Sequence, residues 1–275
     1  MKDIVSWLNS SDMPKVMGIL NVTPDSFSDG GKFNQIDQAL RQVENMISEG
    51  VDIIDIGGES TRPGAKDVEE QDEINRVIPV LKAIKSRFDV AVSIDTSKAV
   101  VMKESINEDA DMINDVRALL AEDCLNVVAQ SDVAVCLMHM QGQPRTMQNN
   151  PIYKDLIGDI NEFFIERIST CENAGIDRSR IILDPGFGFG KTLEQNYKLL
   201  ANFSAFECHN LPLLSGLSRK SMLGNLLNRE VSDRLAGSLA GALISAQHGA
   251  KIIRVHDAKE TVDTLKVLKA VTENK

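Results

Sequence analysis

Short apolar runs alternate with amphipathic stretches along the whole chain. The runs cover residues 16–20, 53–56, 91–94, 112–113, 133–138, 181–183, 213–214 and 252–255. None keeps a strict apolar–polar alternation, which is the pattern expected of strands in a parallel sheet covered on both faces. Between them lie segments such as 36–49, 72–85, 98–107, 155–174 and 232–247, where apolar residues return every three or four positions among charged ones, the period of an amphipathic helix. Eight strand–helix units in about 250 residues match a (β/α)8 barrel, whereas an open doubly wound sheet is usually smaller. No linker divides the chain. The expected architecture is therefore α/β: a single-domain (β/α)8 TIM barrel over residues 1–275, with residues 1–13 as a short N-terminal extension. The run at 112–113 carries the weakest strand signal.

The residues that end each run add chemistry to this frame. Asn21 ends the first, Gly57, Gly58 and Glu59 the second, Asp95 the third, and Asn114 with Asp115 the fourth. His139 follows the fifth, Asp184 the sixth, Ser215 and Gly216 the seventh, and Arg254 and His256 the eighth. One polar residue at a strand end is ordinarily a turn former or a helix cap. Eight in succession would surround one opening, because a barrel gathers the carboxyl ends of its strands at the face that carries the active site.

Composition narrows the partners. With 43% hydrophobic and 25% charged residues the chain is of ordinary globular type, and its net charge of −10 speaks against nucleic acid, which is bound through basic surface. No run approaches the length that spans a bilayer, and residues 1–10 lack the basic and apolar regions of a secretory leader. A cytoplasmic enzyme of small molecules, away from membranes, is the expectation. Cys124, Cys136, Cys171 and Cys208 are widely spaced, which fits reduced thiols better than a disulfide framework or a zinc site.

Two loops suggest ligands. The segment Ser215-Gly216-Leu217-Ser218-Arg219-Lys220-Ser221 leads from a strand into a helix with two cations, and the seventh and eighth loops of such barrels are their usual phosphate site. Arg254 and His256, two apart on one strand, share a face and would join it. Asp95, Asn114 and Asp184 offer carboxylate and amide groups suited to a nitrogen-rich heterocycle. Two other motifs fail on spacing. Gly186-Phe187-Gly188-Phe189-Gly190-Lys191-Thr192 is one residue short of a nucleotide loop, with Pro185 where the first glycine belongs, and the stretch from Asp25 puts Phe27 and Ile36 where calcium ligands would stand. The glycine-rich segments 25–32 and 59–66 are candidate lids.

The motifs Met17-Gly18-Ile19-Leu20-Asn21-Val22-Thr23-Pro24-Asp25-Ser26-Phe27-Ser28-Asp29-Gly30-Gly31 and Gly58-Glu59-Ser60-Thr61-Arg62-Pro63-Gly64-Ala65 closely resemble the two signatures of the dihydropteroate synthases, pterin-binding enzymes. The similarity continues through Ser93-Ile94-Asp95-Thr96, Ile113-Asn114-Asp115, Met138-His139-Met140-Gln141-Gly142, Asp184-Pro185-Gly186, Gly216-Leu217-Ser218-Arg219-Lys220-Ser221 and Arg254-Val255-His256-Asp257. The resemblance implies a folate-pathway transferase that condenses 6-hydroxymethyl-7,8-dihydropterin diphosphate with 4-aminobenzoate. It implies that Asp95, Asn114, Asp184 and Lys220 hold the pterin, with Met138, Phe189 and Gly216 shaping its slot. Asn21 would ligate Mg²⁺, Arg254 and His256 would hold the diphosphate, and Phe27, Thr61, Arg62, Pro63 and Ser218 the aminobenzoate. Asp95, Lys220, Arg254 and His256 are the catalytic candidates. A homodimer and inhibition by sulfonamides are further expectations of the resemblance. A pterin-dependent methyltransferase should lack the lid motifs, a lysine aldolase would need Lys220 to form a Schiff base, and a silent paralogue would bind pterin without turnover.

Overall fold

The computed structural model describes residues 3–23, 32–60, 67–142 and 151–274. Eight strands, β1 (Lys15–Asn21), β2 (Ile53–Gly57), β3 (Ala91–Asp95), β4 (Met112–Asp115), β5 (Ala134–Met138), β6 (Ile181–Asp184), β7 (Leu213–Ser215) and β8 (Ala250–Val255), close into one barrel in sequence order. Every neighbouring pair is parallel, including β8 with β1. Helices surround it: α1 (Ile4–Asn9), α2 (Lys32–Ser48), α3 (Glu70–Arg87), α4 (Ala99–Asn107), α5 (Cys124–Ala129), α6 (Leu156–Asn173), α7 (Leu193–Ala201), α8 (Ser221–Leu227), α9 (Leu235–Gln247) and α10 (Ala258–Thr272). The expected (β/α)8 architecture is the one observed. No helix among the described residues is long and apolar enough to cross a membrane.

The burial pattern explains why the strands read as continuous apolar runs. Outward positions such as Val16, Leu20, Ile54, Ile56, Val92, Ile94, Val135 and Leu137 pack with the helices in one large cluster. Inward positions Met17, Ile53, Ala91, Met112, Ala134, Ile182, Leu214 and Ile252 form a second cluster inside the barrel. Successive strand residues thus face two dry surroundings. Two residues further along five of the strands the inward set turns polar: Asp55, Ser93, Asn114, Asp184 and Arg254 replace the aliphatic groups, and the polar set opens toward the carboxyl face.

The first helix closes the other end. Asp3 accepts from the Ser6 N–H at 3.0 Å, a side-chain cap on an orphan donor of the first turn. Ile4, Val5 and Leu8 of α1 then bury in the same cluster as the lower inward residues, each such burial stabilising by about 1.5–3 kcal/mol. Trp7 packs at the edge of this cluster and carries the Lys15 ammonium 4.4 Å from its ring centre.

Candidate active site

The polar groups at the mouth of the barrel form one connected set. Arg254, on β8, donates through Nε to Asp55 Oδ2 at 2.6 Å and through Nη2 to Asp95 Oδ2 at 2.7 Å. Asn114 Nδ2 also reaches Asp55 Oδ2, at 3.4 Å. Asp95 and Asn114 are register partners on β3 and β4, as Met138 and Asp184 are on β5 and β6. Gly57 leaves room beside them: a Cβ there would lie 3.5 Å from Asn21 Oδ1 and 3.9 Å from Asp95. Gly216 does the same beside Arg254, whose Cβ and Cδ stand 3.8 Å from where a side chain would begin.

A second wall comes from the β6 loop. Val116, Met138 and Phe189 make a small apolar cluster separate from the main cores, with Met140 at its edge. Lys220 lies with its Nζ 4.6 Å from the Phe189 ring centre and donates to the Phe187 carbonyl at 2.5 Å. An apolar cluster beside a cation and two carboxylates can hold a planar, polar-edged ring. On the third side, Ser218 Oγ accepts from the His256 backbone N–H and meets His256 Nδ1, both at 3.2 Å. The structure thus brings together Asn21, Asp95, Asn114, Met138, Asp184, Phe189, Gly216, Ser218, Lys220, Arg254 and His256. Phe27, Thr61, Arg62 and Pro63 lie outside the described residues.

Burial tunes the charges. Desolvation lifts the Asp95 carboxyl to about 7; Arg254 opposes the rise and the negative charge of Asp55 adds to it. Asp184 is raised by burial and held back by Lys220. Lys220 is pushed down to about 8 by burial, against the pull of Asp184. Arg254 loses solvation too, yet Asp55 and Asp95 hold its guanidinium charged. Shifted groups gathered at one mouth support the functional site that the geometry of the polar set already indicates.

Other polar strand ends build the frame. Asp115 accepts from the Arg117 and Leu119 N–H groups at 2.8 and 2.7 Å and from Ser97 Oγ at 2.5 Å, which makes it a loop organiser. Glu59 takes the Lys98 ammonium at 2.6 Å, and Glu73 takes it at 2.5 Å. His139 is buried against Lys191, with 3.1 Å between its Nδ1 and the ammonium. Lys191 donates to the Gly186 and Phe189 carbonyls at 2.9 and 3.1 Å, so the lysine of the abortive nucleotide motif is an internal clamp on the β6 loop. The helix after the β7 loop has seven residues, so any attraction for an anion there rests on the side-chain cations rather than on a long helix dipole. Asp55 is the residue that the strand-end reading missed. Its signal was a lone carboxylate within an apolar run, two residues before Gly57 and therefore on the same inward face.

A barrel with a cationic, carboxylate-lined slot at its carboxyl face is a small-molecule enzyme by construction. The model of the pterin binding enzymes matches residues 17–256. Dihydropteroate synthase of Escherichia coli strain K12 is 55% identical over 262 residues, 95% of this chain and 93% of that protein. The crystal structure of Yersinia pestis dihydropteroate synthase with a sulfonamide drug complex superposes with a TM-score of 0.90 at 54% identity, covering 96% of this chain and 95% of the other. Xanthomonas albilineans dihydropteroate synthase with 4-aminobenzoic acid gives 0.89 at 46% identity, over 95% and 94%. The chain belongs to the dihydropteroate synthase family of pterin-binding enzymes.

Proposed function

We propose that this chain joins 6-hydroxymethyl-7,8-dihydropterin diphosphate to 4-aminobenzoate, giving 7,8-dihydropteroate and diphosphate. The observation that carries the reading is the gathering, at one mouth, of an acceptor floor (Asp95, Asn114, Asp184) and three basic groups (Lys220, Arg254, His256), with Arg254 bridged to Asp95 where the two sets meet. An aminopterin edge presents N–H donors to carboxylates and an amide, while a diphosphate requires cations. Met138, Phe189 and Gly216 bound the ring's slot, and Lys220 spans the two halves. Ser218 joins Phe27, Thr61, Arg62 and Pro63 in receiving the aminobenzoate.

The chemistry follows from this division. Arg254 and His256 stabilise the departing diphosphate, and Asp95 faces the positive charge that develops on the pterin methylene carbon. The arylamine attacks as a neutral nucleophile, so no strong base is needed; holding it against the carbon contributes much of the rate. Asn21 fits a Mg²⁺ site. Among the described residues its side chain makes no hydrogen bond, and no group of three His, Cys, Asp or Glu side chains could hold a metal alone. One amide oxygen shared with water and phosphate oxygens is the donor set that Mg²⁺ accepts. When bound, the ion neutralises diphosphate charge.

Residues 1–275 act as one pterin-binding unit with residues 1–13 as its extension, and the enzyme works in the cytoplasm. A homodimer through helices of the C-terminal half, where Leu226, Leu227, Val231 and Ile244 are exposed on or beside α8 and α9, completes the reading. Sulfonamides compete with aminobenzoate. The test is product formation by purified protein from the two substrates, with a sulfonamide raising the apparent KM for aminobenzoate alone. A protein that binds pterin and forms no dihydropteroate would refute the reading.

A further inference from the structure

The cation that follows Ser218 is already committed to a carboxylate of the chain itself. Arg219 donates through Nε to Asp257 Oδ2 at 2.9 Å and through Nη2 to Asp257 Oδ1. Asp257 stands at the N-cap position of the 15-residue α10, where an aspartate ordinarily accepts from the free N–H groups of the first turn. Its side chain makes no such bond. Both of its oxygens turn instead to the neighbouring loop, so a local stabilising contact is forgone for a bidentate bridge between the β7 and β8 loops.

Arg219 is also one of few non-glycine residues with positive φ, at +57°, a conformation that costs a side-chain-bearing residue about 1–2 kcal/mol. Such strain persists only where the surroundings over-determine it, and here they do. The Arg219 N–H donates to Ser238 Oγ at 3.0 Å, and its carbonyl accepts from Arg234 Nη1 at 2.9 Å. Ser238 in turn donates to the Arg234 carbonyl at 2.8 Å. Backbone donor, backbone acceptor and side chain are thus each held by a different residue. The neighbours on either side are Ser218, bonded to His256, and Lys220, bonded to the Phe187 carbonyl.

We infer that Arg219 and Asp257 are positioning residues: their bridge fixes the register of the β7 loop against the end of β8 and so, through the bonds of Ser218 to His256, sets His256 for the diphosphate. This rests on the functional reading above, which assigns the anion to His256 and Arg254. Partners that orient metal ligands cost about 10–100-fold in affinity or activity when removed, and a residue that holds an anion depends on its orienting partner in the same way. Lys220, the neighbour that also serves the pterin, is held separately by the Phe187 carbonyl, so the pterin slot of Asp95, Asn114 and Asp184 should not feel the loss of the bridge.

The experiment measures two affinities by calorimetry in Mg²⁺ buffer, for inorganic diphosphate and for a pterin lacking the diphosphate, in the wild type, Asp257→Asn, Arg219→Gln and Arg219→Gly. Glycine adopts the positive φ without strain, so a loss in Arg219→Gly reports the side chain rather than the backbone. The expected result is diphosphate affinity reduced about tenfold or more in all three variants, with pterin affinity and thermal midpoint near those of the wild type. Diphosphate binding that survives in Asp257→Asn would overturn the bridge. So would equal loss of both ligands with a large fall in the midpoint, since that is the signature of general unfolding. A wild type that binds pterin but no diphosphate would instead remove the functional reading, and the bridge with it.

Discussion

Asp55→Asn tests the electrostatics of the site at its deepest point. Asp55 is fully buried, and its Oδ2 holds Arg254 Nε at 2.6 Å while its Oδ1 has no hydrogen-bond partner among the described residues. Breaking a buried ion pair outright costs about 3–5 kcal/mol. Here Asp95 remains as a counter-charge on the other arm of Arg254, and the asparagine amide oxygen can still accept, so the loss should be nearer that of one charge-assisted hydrogen bond, about 1.5–3 kcal/mol. For a chain of this size that is a fall in Tm of about 3–6 °C. The substitution also acts on Asp95. Its carboxyl sits at about 7 because burial raises it, with Arg254 opposing and Asp55 adding to the rise. Without the Asp55 charge it ionises at lower pH. If ionised Asp95 supports the reaction, wild-type turnover falls as pH drops through about 7, and the variant keeps its activity to lower pH. Denaturant titration and a pH profile of kcat/KM read the two effects. Stability unchanged within about 0.5 kcal/mol, the ordinary range of surface substitutions, together with an unmoved acidic limb, would refute the reasoning.

Further outcomes follow from the same geometry. Asp95→Asn should lower kcat by about 100-fold or more, a larger change than any it makes in inorganic diphosphate affinity through its bond to Arg254; unchanged turnover would remove its role at the developing cation. Lys191, pushed down to about 7 chiefly by burial, binds a proton less readily folded than unfolded. The penalty is fully present below about 7 and fades as pH rises toward the ordinary lysine value of 10.5, so stability should climb across that window and climb less in Lys191→Met; parallel urea curves for the two proteins at successive pH values would contradict this. Gly186→Ala places a Cβ 2.0 Å from the His139 carbonyl oxygen at a φ of +74°, whereas Gly175→Ala at +94° meets nothing within 4 Å. The second should cost about 1–2 kcal/mol of backbone strain alone and the first clearly more, and equal costs would deny the fusion of the β5 and β6 loops. Asn21→Ala should raise the Mg²⁺ concentration needed for half-maximal turnover without changing the affinity for a pterin lacking diphosphate; an unaltered Mg²⁺ dependence would clear Asn21 of that role.

The barrel was legible because most positions of each strand meet one of two dry surroundings, so the runs show no regular apolar–polar alternation. The weak signal at 112–113 has a physical cause: β4 spans Met112–Asp115, and half of it is Asn114 and Asp115, one an inward site residue and the other a loop organiser. The short α1 was hidden in the leader because six residues make too little periodicity to read. At the site, residues ending a strand were readable by position. Asp55 was not, since a carboxylate amid isoleucines gives no hint that a guanidinium from the opposite end of the chain will meet it. Arg219 shows the converse: beside Lys220 it looked like part of an anion site, yet its backbone twist and Asp257 turn it into a brace. Contacts that link residues far apart in sequence are where local pattern stops informing.

The central claim is that this mouth exchanges diphosphate for an arylamine on the pterin methylene carbon. Its most direct test supplies the purified protein with the pterin diphosphate and Mg²⁺, and follows diphosphate and dihydropteroate together, with and without 4-aminobenzoate. The account predicts equal amounts of both products when aminobenzoate is present and loss of both when Mg²⁺ is chelated. Tight pterin binding with neither product would contradict it.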